Sequence, residues 1–435
     1  MNIRANPAFV DPATGCGAPR LDPAAIRQTM DACTKCGICQ AHCPVAAATE
    51  AFPGPKYAGP QAQRFRVIGV QDEHSAALCS GCGICTSVCP NDVAITDIIA
   101  LAKADMAEQH GVRFGQRLLN RPDGVGAIGG LLPWLGNALL SNRAARALAK
   151  HLFGIDRAAP LPRFAGKRFE RWLKAATQPE GPSIGYFPGC SVTHYDPDTG
   201  IDAVRLLNAL GYRVEVPTSA CCSLPMLSSG EWAPVSARAN SLITALAPTA
   251  RAGTPILSTS TSCSLTLRSK YAAYLGLVDG DAASVSDSVA DICGFLLDRH
   301  GDELARRFKP VRKRVFYHGP CQLRGHRLGL PAAELMALIP GLDITLSRAD
   351  CCGVAGTYGY DTAKRPIAKR VGSTLVAQVH EAKPDVVVCD SETCRWNIED
   401  ATGIECVHPV AILAEALGLQ GPRAGFDRAR RVRRR

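Results

Sequence analysis

CTKCGICQAHCP (Cys33–Pro44) and CSGCGICTSVCP (Cys79–Pro90) decide how this chain is read. Each copy spaces three cysteines by two residues, leaves three more, and closes on a Cys-Pro pair. The short spacers let three successive thiolates wrap one face of an iron–sulfur cube. The fourth cysteine, held by its proline, points away toward a second cube. The expected ligand sets are therefore interleaved: Cys33, Cys36, Cys39 and Cys89 for one [4Fe–4S] cluster, and Cys79, Cys82, Cys85 and Cys43 for the other. A tetrahedral zinc site takes four ligands, usually as two separated pairs, and leaves such triplets unexplained. Gly37 and Gly83 suit close approach of backbone N–H groups to sulfur, and plain turn glycines fit them equally well.

Working outward, the whole chain holds 20 cysteines in 435 residues, too many to be incidental. Disulfides would need an oxidising compartment. The opening MNIRANPAFVDPATG lacks the apolar stretch of a secretory signal, so a reducing cytosol is expected. Hydrophobic content of 46% and charged content of 20% suit a soluble globular chain, and the length calls for two or three domains. Of the net charge of +10, half comes from the last nine residues, DRARRVRRR, with six arginines and one aspartate. Such a tail is either solvated or set against anionic lipid or a partner. No zinc-finger or helix-turn-helix spacing accompanies it, so nucleic acid is not expected. No run reaches the ~18 apolar residues of a membrane-spanning helix. The closest, VGAIGGLLPWLGNALL (Val125–Leu140), is interrupted by Gly, Pro and Asn; it can lie on a bilayer but not span it.

The rest of the chain is a tandem duplication. Cys190 corresponds to Cys321, Cys221 to Cys351, Cys222 to Cys352 and Cys263 to Cys394, with offsets of 131, 130, 130 and 131 residues. Flanking sequence agrees: IGYFPGC matches VFYHGPC, and TPILSTSTSC matches PDVVVCDSETC. In each half, short β-branched runs (SIGYF, YRVEV, PILST; RVFYH, DITLS, DVVVC) alternate with helical stretches such as DAVRLLNAL and AAELMALI. That alternation predicts a parallel sheet, with the cysteines at the carboxyl ends of the strands where α/β sheets bind ligands. The expected fold is α+β and multidomain. A helical dicluster ferredoxin-type domain (26–112) follows an irregular lead-in. A helical connector or docking segment (113–180), two α/β cysteine-rich repeats (183–300 and 312–418) and a basic tail (419–435) come after it. Within the first domain, EAFPGPKYAGPQAQRFR is expected to be an ordered loop, since its Pro and Gly forbid a long helix or strand.

Two further patterns are set aside. Gly124–Gly129, GVGAIG, spells a dinucleotide-binding fingerprint, but no strand precedes it and Pro133 follows closely, so no flavin or nicotinamide is expected on this chain. His42, His318 and His408 lie near cysteines or strand ends, where hydrogen-bonded structural roles are commoner than ligation.

The spacing between the two motifs resembles the helical ferredoxin domains of respiratory iron–sulfur subunits. The duplicated halves resemble the cysteine-rich "CCG" domain of heterodisulfide reductases and glycolate oxidase iron–sulfur subunits. That family's pattern is one Cys, then Cys-Cys-Gly about thirty residues on, then a distal Cys-x-x-Cys. The resemblance makes Cys190, Cys221, Cys222, Cys263, Cys321, Cys351, Cys352 and Cys394 candidate ligands for one or two further clusters. Complete family sets of five cysteines hold a non-cubane cluster. Here Ser260 and Ser391 stand where the family has a distal cysteine, and Ser223 where it has the glycine. Four thiolates still suffice for an ordinary cluster. The alternative is a set of reduced, half-buried packing thiols. Cys389 is expected in the core as a small hydrophobe, because two residues along a strand move a thiol by roughly 6–7 Å.

FPGPKYAGP, CPNDVAITDII, CCGVAGTYGY, SETCRWNIE and ECVHPVAILAEAL narrow the resemblance to the C subunits of bacterial anaerobic glycerol-3-phosphate dehydrogenases, over residues 26 to 418. It implies an electron-transfer subunit that accepts from a flavin-containing dehydrogenase subunit and delivers to quinone. It also implies peripheral attachment to the cytoplasmic side of the membrane. Two other readings are a heterodisulfide reductase-like thiol catalyst, disfavoured by the serines at 260 and 391, and the iron–sulfur subunit of a glycolate or lactate oxidase.

Overall fold

The computed structural model describes residues 22–70 and 73–419. Cys16 and the arginine tail lie outside them. The duplication is visible as two parallel four-stranded sheets of the same topology. The first contains β1 (Ser183–Tyr186), β2 (Arg213–Glu215), β3 (Ile256–Ser258) and β4 (Val289–Asp291), in the order β2-β1-β3-β4. The second contains β5 (Arg314–Tyr317), β6 (Asp343–Leu346), β7 (Val386–Val388) and β8 (Cys406–Val407), in the order β6-β5-β7-β8. Every pairing is parallel. Past the exposed first residues Ser183 and Arg314 the central strands are buried, as a sheet covered on both faces requires.

The two repeats share one core. Ile184, Tyr186, Leu206 and Leu207 of the first belong to the same buried cluster as Val315, Tyr317, Leu335 and Met336 of the second. Helix Pro197–Ala209 packs on Pro409–Ala416, and Ile292–Arg307 on Pro331–Ala337. His326 also joins them: its Nε2 lies 3.1 Å from the Thr261 carbonyl oxygen and 3.0 Å from Ser264 Oγ. Nε2–H donates to the carbonyl, which leaves Nδ1 bare and buried without a partner. Burial pushes the pKa of His326 down to about 4. The unfolded chain, with its histidine near 6.5, therefore takes up this proton first as pH falls. Stability carried by neutral His326 is complete above pH 6.5 and is lost between there and about pH 4, by roughly 3 kcal/mol. Urea unfolding at pH 7 and pH 4.5 should show a steeper loss in the wild type than in His326→Gln; parallel losses would contradict the assignment.

The amino-terminal module is built from short helices around Ile95–His110. The expected loop between the motifs is instead largely helical. A wide turn, Tyr57–Gln61, runs into helix Ala62–Val67, broken at Gly59 (φ −90°, ψ −107°) beside Pro60. Proline and glycine limited the length of these helices without abolishing them, because Arg64 and Arg66 tie them to the Met30 and Ala58 carbonyls (2.9 and 3.0 Å). The end of the lead-in is also ordered, as helix Pro23–Gln28 capped by Asp22.

The segment after it is helical: Phe114–Leu119, Pro122–Gly129, Pro133–Ser141, Arg143–Phe153 and Arg168–Ala175. GVGAIG lies inside Pro122–Gly129, so no strand–turn–helix exists there. Pro122–Gly129 and Pro133–Ser141 meet at a bend of 112°, and no single described helix is long and apolar enough to cross a membrane. Their polarity is inverted. Three of the glycines face the body: a Cβ at Gly126 would meet His194 at 2.6 Å, and at Gly129 and Gly136 would meet the Phe164 ring at 2.4 and 2.8 Å. Asn137 is buried and exchanges two hydrogen bonds with the Phe164 backbone (3.0 and 2.8 Å). The large apolar side chains, Ile128, Leu131, Leu132, Trp134, Leu135 and Leu139, are exposed.

Candidate metal centres

In both cysteine motifs the glycine starts a helix in the left-handed conformation, Gly37 at φ +87° before Ile38–Ala41 and Gly83 at φ +83° before Ile84–Ser87. A Cβ would meet nothing at either position, so it is the backbone angle that requires glycine. These turns bring the thiols together across the motifs. Cys39 is held above its ordinary pKa by burial and then by Cys33, Cys36 and Cys89. Cys85 is raised by burial, then by Cys82, Cys79 and Cys43. Cys43 is pushed up to about 12 by burial, with Cys82 and Cys79 adding to the rise. Backbone N–H groups reach sulfur from Ala46 to Cys43 and from Gly81 to Cys79, each at 3.4 Å. Cys36 is exposed, while Cys85 is buried against Thr96 at 3.2 Å.

In the repeats the thiols sit past the carboxyl ends of the strands and pair identically. Cys190 lies 3.7 Å from Cys221, and Cys222 lies 3.3 Å from Cys263. In the second repeat Cys321 adjoins Cys351, and Cys352 lies 2.9 Å from Cys394. The Cys-Cys turn is also common to both, with Ser223 N–H donating to Cys221 and Gly353 N–H to Cys351, each at 3.3 Å. All eight of these thiols, together with Cys79, line a single cavity of about 980 Å³. Among the described residues no group of three or more His, Cys, Asp or Glu side chains converges on a single metal ion.

The substitutions relative to the cysteine-rich pattern have local explanations. Both Gly353 (φ +90°) and Ser223 (φ +58°) are left-handed. A Cβ at Gly353 would lie 2.1 Å from the Ala368 carbonyl oxygen. Ser223 has room, and its Oγ accepts from Arg238 Nε at 2.9 Å; Arg238 also pairs with Asp123. Gly353→Ala should therefore cost about 3 kcal/mol or more and lower the melting temperature by several degrees, while Ser223→Gly stays within about 1 kcal/mol. Equal losses in calorimetry would refute this contrast. Ser260 caps helix Thr261–Leu265 by accepting from Cys263 N–H (3.3 Å) and donates to Glu392 of the other repeat (3.3 Å). Ser391 is buried at the cavity wall. Cys389 is fully buried, as expected for a core residue, yet its thiol adjoins Cys394 because the chain turns back into helix Glu392–Thr402. His318 and His408 are structural: Nδ1 of His318 bonds Ser347 Oγ (3.2 Å), and His408 caps Pro409–Ala416.

Sequence reasoning missed a ring of lysines. Lys103 Nζ donates to the Cys79 carbonyl at 2.6 Å. Lys270 lies in the field of Cys321, and Lys364 in that of Cys79; burial pushes Lys364 down to about 8. Half-buried cations around clustered thiols suit a group that adds negative charge, as thiolate-bound iron–sulfur clusters do. The donor set is also all sulfur, with backbone N–H groups aimed at it, so the residues present fit such clusters.

Helices from the amino-terminal module reach both repeats. Pro44–Ala48 packs on Arg365–Ala382, with Arg370 donating to the Ala48 carbonyl (3.1 Å). Ile84–Ser87 packs on Cys321–Arg324. Burial and then Cys321 push Cys82 up to about 12, and Cys82 in turn raises Cys351. Toward the first repeat, Tyr274 OH donates to Asp97 at 2.8 Å.

Residues 29–93 match the family described as "4Fe-4S dicluster domain". Residues 184–268 and 315–399 each match "Cysteine-rich domain". The chain is 32% identical to the C subunit of the anaerobic glycerol-3-phosphate dehydrogenase of Escherichia coli K12, over 89% of its own length and 99% of that relative. It is 25% identical to the glycolate oxidase iron–sulfur subunit of the same organism, over 89% and 94%. It is 30% identical to the B subunit of the CoM/CoB fumarate reductase of Methanothermobacter marburgensis, over 57% and 47%.

Proposed function

This chain belongs to the family of C subunits of anaerobic glycerol-3-phosphate dehydrogenases, which are iron–sulfur electron-transfer proteins, and on that premise we propose which residues carry the electrons and between which partners. Cys33, Cys36, Cys39 and Cys89 hold one [4Fe–4S] cluster and Cys79, Cys82, Cys85 and Cys43 a second. Cys190, Cys221, Cys222 and Cys263 hold a third cluster, and Cys321, Cys351, Cys352 and Cys394 a fourth. When bound, such clusters supply one-electron carriers.

The observation that carries the reading is the packing of helix Ile84–Ser87 on Cys321–Arg324, which puts Cys82 in the electrostatic field of Cys321 and Cys351. It supports an order of transfer from the Cys33 set, with exposed Cys36, through the Cys79 set and the second repeat to the first, whose thiols line the same cavity. The donor is the flavin of a dehydrogenase subunit that oxidises glycerol 3-phosphate, and the acceptor is quinone. The inverted helices Pro122–Gly129 and Pro133–Ser141 support attachment to the cytoplasmic surface of the membrane, with their apolar side chains in lipid.

Anaerobic iron and sulfide analysis with EPR tests this. About 16 irons per chain are expected for four cubanes. About eight would overturn the repeat centres and spare the amino-terminal pair. The isolated subunit should oxidise no glycerol 3-phosphate.

A further inference from the structure

The two amino-terminal thiol sets share a motif but not a setting. Around the Cys79 set, hydrogen bonds reach sulfur from Gly81 N–H to Cys79, from Ala46 N–H to Cys43, and from the Thr96 hydroxyl to Cys85 at 3.2 Å. Thr86 fixes the direction of the last. It accepts from Thr96 N–H (3.0 Å) and donates its own O–H to Thr96 Oγ1 (3.1 Å), which leaves the Thr96 proton for the sulfur. A cation joins them. Lys103 Nζ donates to the Cys79 carbonyl at 2.6 Å, and no carboxylate among the described residues pairs with it. It faces the Cys79 thiol and a second ammonium, Lys364, whose neighbour Asp361 is taken by Arg113. The Cys33 set is poorer. Among the described residues no hydroxyl or buried cation reaches its sulfurs; Gln40 N–H serves Cys39, and Lys35 is exposed.

We propose that Lys103 and Thr96 raise the potential of the centre held by Cys79, Cys82, Cys85 and Cys43, so that electrons pass inward from the Cys33 set. The inference rests on the relay reading above and deepens it by naming residues that give the relay its direction. An added electron increases the negative charge of an iron–sulfur centre. Burial alone therefore works against the inner set, because Cys85 and Thr96 are shut away from water while Cys36 is exposed. An inner centre harder to reduce than the outer one would hold electrons at the surface. Positive charge and hydrogen bonds to sulfur favour the reduced form, and both act most strongly where water is excluded. Exposed Lys35 gives the Cys33 set little, since solvent and salt screen it. The step so biased moves one electron, lost at the Cys33 set and gained at the Cys79 set, with no bond made or broken.

EPR-monitored redox titration of the full chain, purified anaerobically, tests this. In Lys103→Met one midpoint should fall by about 59 mV, a tenfold lower ratio of reduced to oxidised centre at a given potential. Lys103→Arg keeps the charge and should restore most of that shift. Thr96→Val removes the hydroxyl and should lower the same ratio about threefold, the loss of one hydrogen bond, while Thr96→Ser should leave it unchanged. Iron content should match the wild type in all four variants, so the change lies in potential and not in assembly. The Lys103→Met shift should persist in a Cys36→Ala background, which disables the outer centre and leaves the inner one to carry it. Unchanged midpoints in both Lys103→Met and Thr96→Val overturn the proposal, and so does a shift that vanishes in the Cys36→Ala background. Wild-type chain that assembles no iron–sulfur centre on its amino-terminal thiols would sink the relay reading itself, before any question of tuning arises.

Discussion

Cys89→Ala should remove the same cluster as Cys36→Ala, although Cys89 belongs to the other motif. Cys43→Ala should in turn reproduce Cys82→Ala. The reason is the turn at each Cys-Pro pair. Cys89 affects Cys39, in the company of Cys33 and Cys36, while Cys43 adjoins Cys79 and Cys82. Each single replacement should lower the iron content by about four per chain, or leave a damaged centre with three irons and an altered EPR signal. The doubles make the grouping testable by counting alone. Cys36→Ala with Cys89→Ala should lose no more iron than either single, since both strike one centre. Cys36→Ala with Cys43→Ala should lose about eight, since they strike two. A motif-by-motif arrangement predicts the reverse pattern, so the two doubles discriminate cleanly. Because Cys82 lies in the electrostatic field of Cys321 and Cys351, the Cys43 and Cys82 variants should also slow reduction of the repeat centres by the flavoprotein partner.

The doubled sheet was legible because a duplication leaves constant offsets, and the dicluster module because its two cysteine motifs are written in short spacers. What was not legible depended on contacts between distant segments. β4 and β8 are three and two residues long; Val289–Asp291 and Cys406–Val407 become strands only by pairing with β3 and β7. Helix Ala62–Val67 was hidden because Pro and Gly density marks where helices break, not whether short ones form between breaks. The proximity of Cys389 to Cys394 follows from the turn after β7, which a strand-spacing argument cannot contain. Lys103, Lys270 and Lys364 carry no motif at all. Their meaning appears only when Ile95–His110 and the two repeats converge on the thiols. The departures at 223, 260 and 391 looked like losses in sequence. In the fold Ser223 tolerates the left-handed turn and Ser260 caps a helix, so the remaining four thiols keep their pairing in both repeats.

Replacing Leu131, Trp134 and Leu148 together by glutamate should release the protein from membranes while leaving its clusters intact. These side chains are 76%, 70% and 58% exposed, and none lines the cavity. An amphipathic helix of a soluble protein turns such residues inward. Here glycine and Asn137 occupy the inward face, so large apolar groups remain outside with no protein to cover them among the described residues. Burying a Leu or Trp in the interface contributes on the order of 1 kcal/mol or more each, so three losses predict at least a hundredfold weaker partition. Arg143 and Lys150 on the neighbouring helix Arg143–Phe153 add attraction to anionic lipid, about 1 kcal/mol apiece near the surface. Sedimentation with vesicles of mixed neutral and anionic lipid separates the two contributions. Wild-type binding should weaken with salt yet persist at roughly 0.5 M, because the apolar part is unscreened. The triple variant should bind weakly at low salt and not at all at high salt. Complete release of the wild type by salt alone would assign attachment to the basic residues and leave the inverted helices without a role in lipid.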